Sequence, residues 1–161
     1  MENDFLQSLQ YIGATARIKR LSDSLLYDAR KVYEQIQLGI EPNWHLIFLL
    51  LKQEGPLPVT VIARRLQFSH PAIIKIVKKM QAQGYLASLP DANDSRRQLI
   101  QLTQQSLDRM PEFEQEWQRI ETVIRQLFDA DILQQLARLE QNVAQKGLYH
   151  RYNDINNDTT Q

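Results

Sequence analysis

The sequence has no cysteine, only five glycines and only three histidines. Without cysteine, neither a disulfide framework nor a thiolate zinc site can form. His45, His70 and His150 stand far apart and make no metal-ligand cluster, so no metal and no cofactor is expected. No Ser/His/Asp or Cys/His arrangement and no glycine-rich phosphate loop is visible, and no catalytic residue is assigned. The chain therefore reads as something other than an enzyme. Long hydrophobic runs are missing too. The longest, Leu46 to Leu51, is far too short to span a bilayer, and the opening MENDFLQSLQYIG has neither the basic start nor the apolar run of a signal peptide. A cytoplasmic location is the simplest expectation.

Net charge is also absent, but only in the sum. Residues 64–97 carry seven basic side chains (Arg64, Arg65, Lys75, Lys78, Lys79, Arg96, Arg97) against two acidic ones (Asp91, Asp94), a net of +5. Residues 1–63 come to −1 and residues 104–161 to −4. A basic stretch is often just a solvated face. Concentrated in 34 residues of a neutral chain, it also marks where a polyanion would bind.

Apolar spacing supplies the element order. Leu6, Leu9, Ile12, Ala16, Leu21, Leu25, Ala29 and Val32 recur at threes and fours, predicting one or two helices over about 5–34. Gly39 and Pro42 punctuate a break, and a nearly all-apolar helix follows over about 43–53. Val59, Ile62, Ala63 and Leu66 predict a short helix, and Gln67-Phe68 a turn. Ser69 is placed as the N-cap of a second helix that runs to Gln83 and ends at Gly84. Helix, tight turn, helix is the arrangement of DNA-binding helix-turn-helix modules. Tyr85–Leu89 and Gln98–Leu102 predict a small β-hairpin whose loop, residues 90–97, forms a wing. Thr103 caps a long helix with Leu107, Met110, Phe113, Trp117, Ile120, Ile124 and Leu127 at partner-helix spacing, which Pro111 should bend or delay. A last helix carries Ile132, Leu136, Leu139 and Val143 up to Gly147. The polar stretch 148–161 is expected to be a disordered tail.

The run LPVTVIARRLQFSHPAIIKIVKKMQAQGYL (57–86), followed by LPDANDSRRQLIQLT (89–103), resembles the MarR-type winged helix-turn-helix transcriptional regulators. Ile62-Ala63, Ser69, Gly84, Asp94, Arg96 and Leu102-Thr103 fall on that family's pattern in order. ARIKRLSD (16–23) and the Pro111–Trp117 spacing are similar to the regulator part of members that often carry an acetyltransferase domain, a domain not expected here. Three departures stand out. Gln67 replaces a usual turn glycine, Ala72 and Ile74 replace polar recognition-helix residues, and Ala87-Ser88-Leu89 lacks the usual arginine.

The resemblance implies a mainly α fold with a small β-hairpin. One domain is expected over 1–147, with its winged helix-turn-helix core at about 43–103 and dimerisation helices at about 5–34 and 104–147. It further implies a homodimeric, sequence-specific regulator of double-stranded DNA, most simply a repressor, bound to a pseudo-palindromic operator. Recognition helix 69–83 would enter the major groove, with His70, Ala72 and Lys75 toward base edges and Ser69, Lys78 and Lys79 toward phosphates. Ala72 or Ile74 offers only an apolar contact to a thymine methyl. On the wing, Arg96 is the minor-groove candidate, with Asp94 expected to brace its guanidinium and Arg97 to meet a phosphate. A small apolar or aromatic effector would fit a cavity lined by Tyr11, Trp44, Phe48 and Trp117. The rival reading is a winged-helix module that binds another protein and has lost DNA binding, for which Ala72 and Ile74 speak.

Overall fold

The computed structural model describes residues 4–92, 94 and 96–158. Two compact units divide the chain, Met1–Pro111 and Glu112–Gln161.

In the first unit, α1 (Phe5–Ser8) and α2 (Gln10–Gln35) replace the one helix or two left open by the periodicity. They part at Gln10, whose φ of 47° no continuous α-helix allows. Asp4 caps α1 by accepting from the Leu6 N–H at 3.1 Å. The short helix folds back so closely that a Cβ on Gly13 would lie 2.4 Å from the Leu6 carbonyl oxygen. Only glycine fits there.

Helix α3 (Trp44–Glu54) is the centre of the core, as its apolar composition demands. Trp44, Ile47 and Phe48 are fully buried, together with Ile62, Ile73 and Met80 from the next two helices. Each such side chain contributes roughly 1.5–3 kcal/mol of hydrophobic stabilisation. Trp44 and Phe48 both meet the buried Tyr85 ring edge-on, at centroid distances of 6.0 and 5.5 Å. The Arg109 guanidinium donates to the Tyr85 hydroxyl at 2.5 Å and to the Leu38 carbonyl at 2.9 Å.

The helix pair follows with the expected bounds, α4 (Val59–Leu66) and α5 (His70–Ala82). Between them Gln67 adopts the left-handed conformation, φ 54° and ψ 32°. The Phe68 N–H returns to the Ala63 carbonyl at 3.0 Å, closing the helix end as a glycine would. A usual turn glycine is thus replaced without loss of the turn, at the steric cost of a side chain in that region.

The wing is larger than a hairpin. A two-residue strand β1 (Leu57–Pro58) adds to β3 (Gln98–Leu102), which also pairs with β2 (Leu86–Pro90), giving the antiparallel order β1-β3-β2. Pro58 has no N–H to donate, which an edge strand tolerates. Pro90, expected to stop β2, is its last residue, opposite Gln98.

Helix α6 (Gln104–Leu127) begins where Thr103 Oγ1 accepts from the Ser106 N–H at 3.3 Å and donates to the Gly84 carbonyl at 2.7 Å. Pro111 lies inside it on the exposed side and neither delays nor ends the helix. The unit boundary falls at that proline. In the second unit Phe113 and Trp117 pack together at 5.7 Å, and α7 (Ala130–Gln145) starts at Asp129, which caps the Ile132 N–H at 2.8 Å. Of the stretch 148–161, expected as a disordered tail, Leu148–Asp158 is helix α8, and 159–161 lie outside the described residues. Leu148, Tyr152 and Ile155 share one face of it, a spacing that its many polar residues conceal. No described helix is long and apolar enough to cross a membrane.

Candidate nucleic-acid interface

Helix α5 owes its orientation to its apolar stripe. Ile73, Val77 and Met80 are buried, and this fixes the opposite face toward solvent. Pro71, Lys75, Lys78 and Ala82 form that face at i, i+4, i+7 and i+11, flanked by Ala72 and Lys79. His70 is exposed in the first turn, while Ile74 is half-buried at the side. Ser69 stands at the N-cap position but its hydroxyl caps nothing, so the group remains open to an outside partner. The helix stops because Gly84 takes φ 80° and the Tyr85 N–H reaches back to the Met80 carbonyl at 2.9 Å.

The lysines are not equivalent. Among the described residues Lys75 and Lys78 are exposed and make no ion pair, whereas Lys79 Nζ lies 2.6 Å from Glu41 Oε1. Both members of that pair are about half exposed, so it is worth little and is easily exchanged for another anion. Arg64, exposed on the last turn of α4, belongs with this set. The charge count included it, but periodicity gave it no role. Its neighbour Arg65 is paired with Glu54.

On the wing, the Asp91 N–H donates to the Arg97 carbonyl at 3.0 Å and the Arg97 N–H to the Asp94 carbonyl at 2.9 Å. The expected Asp94–Arg96 guanidinium brace is not formed. Asp94 Oδ1 instead accepts from the backbone N–H of Arg96 at 3.1 Å. A carboxylate two residues upstream reaches a main-chain donor more readily than a guanidinium at the end of a long flexible stem. Arg96 is exposed and, among the described residues, makes no ion pair. Arg97 is the arginine with a carboxylate, its Nε 3.8 Å from Asp91 Oδ2. Asn93 and Ser95 of the loop lie outside the described residues.

Tyr11 is 93% exposed, Trp44 and Phe48 are core side chains against Tyr85, and Trp117 belongs to the second unit, half-buried beside Phe113. Aromatic composition alone does not distinguish a lining from a core. Near α5 there is instead an open groove of about 650 Å³ lined by, among others, Arg30, Tyr33, Glu34, Glu41 and Lys79. Four of its lining residues, Arg30, Glu34, Glu41 and Lys79, are charged, and they stand beside Tyr33, Ile40 and Pro42. Among the described residues no group of three potential metal ligands converges.

The comparisons with known proteins bear on the same segment. The MarR family model matches residues 38–97. No curated protein matches. Among solved structures, a MarR/EmrR family transcriptional regulator from Acinetobacter sp. ADP1 is 23% identical, covers 83% of this chain and 93% of its own, and superposes with a TM-score of 0.67. The S. aureus MepR–DNA complex is 23% identical, with coverages of 82% and 96% and a TM-score of 0.65. The PcaV transcriptional regulator from Streptomyces coelicolor, solved with its natural ligand, is 20% identical, with coverages of 91% and 99% and a TM-score of 0.63.

Proposed function

We propose that this protein is a MarR-type regulator, a cytoplasmic, homodimeric repressor that binds a pseudo-palindromic operator in double-stranded DNA; the match of the MarR family model to residues 38–97 and the likeness of the fold to solved regulators support this reading. One observation carries the reading. The solvent face of α5 presents Lys75 and Lys78 in the same unit as a wing that carries Arg96, and among the described residues none of the three makes an ion pair. A helix of this exposure fits the major groove, and a lone arginine on a loop suits the negative potential of a narrow minor groove.

Ser69, Lys78, Lys79, Arg97 and Arg64 serve the phosphates. His70, Ala72 and Lys75 face base edges, and Asp94 holds the wing backbone that carries Arg96. Dimerisation is supported by apolar side chains that each unit leaves in water. Ile12, Ile18 and Leu21 are more than half exposed on α2, and Ile132, Leu136, Leu139 and Val143 are 41–59% exposed along one face of α7. Rows of this kind mark association surfaces, and two half-sites multiply the limited specificity of one module. An effector entering the groove beside Lys79 would compete with its ion pair and alter its availability to DNA. The ligand-bound PcaV structure makes such regulation a reasonable extension.

Selection from random duplex DNA tests the function, with light scattering for the dimer. An enriched inverted repeat and a dimeric mass are expected. Absence of any enriched site, together with a stable protein partner, would instead establish the protein-interaction reading that the exposed Pro71 and Ala72 favour.

A further inference from the structure

The first two turns of α5 are poor in hydrogen-bonding groups where a recognition helix normally carries them. On the outward stripe Pro71, flanked by Ala72, comes before any donor, and Lys75 is the first polar side chain on it. His70 is exposed at the edge of this surface, and Ile74, half-buried, adds an apolar flank. No arginine, asparagine, glutamine or carboxylate stands in the first two turns, so apart from Lys75, which can pair with guanine O6 and N7, none of the bidentate pairs that read guanine, adenine or cytosine can form there.

Apolar surface at this place would be a poor fit to phosphate or water. In the major groove it has one complementary feature, the C5-methyl of thymine. The lysines that follow on the same stripe, Lys75 and Lys78, tie the patch to a polyanion rather than to an apolar protein partner. Resting on the DNA-binding reading above, we infer that Ala72, with Pro71 beside it, reads a thymine methyl, making thymine content of the half-site a specificity determinant of this protein. Pro71 also stiffens the first turn, so the methyl of Ala72 is presented without a costly loss of freedom.

The test uses the full chain and the operator duplex recovered by selection. Each thymine of a half-site is replaced in turn by uracil, which removes only the C5-methyl and keeps the base pair. At one or two positions the affinity should fall about fourfold, the worth of one buried methyl-sized group. In Ala72→Gly the same replacement should change affinity by less than twofold. Binding of Ala72→Gly to non-specific duplex at low salt controls for folding, since that binding depends on the cations alone.

Uracil replacement without effect at every position overturns the inference, as does an undiminished loss in Ala72→Gly, while the DNA-binding function stands. Failure to recover any operator overturns the function itself and the methyl readout with it.

Discussion

The Asp94 carboxylate accepts a hydrogen bond from the backbone N–H of Arg96 at 3.1 Å, so the acidic residue of the wing shapes the chain and, among the described residues, the neighbouring guanidinium makes no ion pair. A bond to a main-chain donor needs an acceptor oxygen, not a charge. Asp94→Asn should therefore keep operator affinity within about twofold, because the amide oxygen can accept the same bond. Asp94→Ala loses that bond, on the order of 1 kcal/mol or roughly fivefold in affinity. Titration of labelled operator distinguishes the two. Equal, large losses in both variants would mean that the carboxylate charge matters after all.

Lys79 sits at the junction of the recognition helix and the charged groove, 2.6 Å from Glu41. Removing Glu41 frees the lysine and takes a negative charge away from the DNA-facing side. Glu41→Ala should tighten DNA binding several-fold at low salt and steepen its salt dependence by up to about one unit. Lys79→Ala should act in the opposite direction. Binding isotherms at several salt concentrations check both signs.

Gln67 occupies a left-handed position with φ 54°. Any side chain there costs conformational energy that glycine does not incur. Gln67→Gly should raise stability by about 0.5–1 kcal/mol, and the β-branched Gln67→Val should lower it by at least as much. Urea unfolding followed by tryptophan fluorescence gives the midpoints. A destabilised glycine variant would show that the Gln67 side chain makes contacts worth more than the strain.

The Arg20 guanidinium donates to both oxygens of Asp4, at 3.1 and 2.6 Å, and holds its carboxyl below the ordinary value of 3.8. A lowered folded-state pKa means that the linkage is complete above the unfolded value and is lost as pH falls through the folded one. The cap of α1 should then loosen only in strong acid. In an NMR titration of the Asp4 carboxyl, the midpoint should lie below 3.8 and return toward it in Arg20→Ala. An unchanged midpoint in that variant would remove Arg20 as the cause.

These features differ in how far they were legible in the chain. The helix pair, its bounds and its outward lysines followed from local signals: Val59, Ile62, Ala63 and Leu66 at helical spacing, Ser69 before Pro71, and Gly84 at the end. The Gln98–Leu102 strand was legible from its alternation. Strand β1 was not, because two residues hold no period and Leu57 is a strand only by pairing with Ile100, 43 positions away. The break at Gln10 was hidden for another reason: its positive φ falls on a residue type that gives no such signal. Helix α8 was masked by polar composition. The Asp94 contact is not legible from complementary charge, because the path to the Arg96 backbone N–H is shorter than the path to its guanidinium. Residue type alone does not distinguish Trp44 and Phe48 as a lining from a core, and their packing on Tyr85 depends on tertiary contacts that no local pattern carries.

The salt dependence of operator binding, measured for the parent chain and for Arg96→Ala, bears most directly on the central claim. Log affinity should fall steeply and linearly with log salt concentration, and the variant should lose roughly one unit of slope as one cationic contact disappears. A parent slope near zero would contradict a DNA-binding function for this fold.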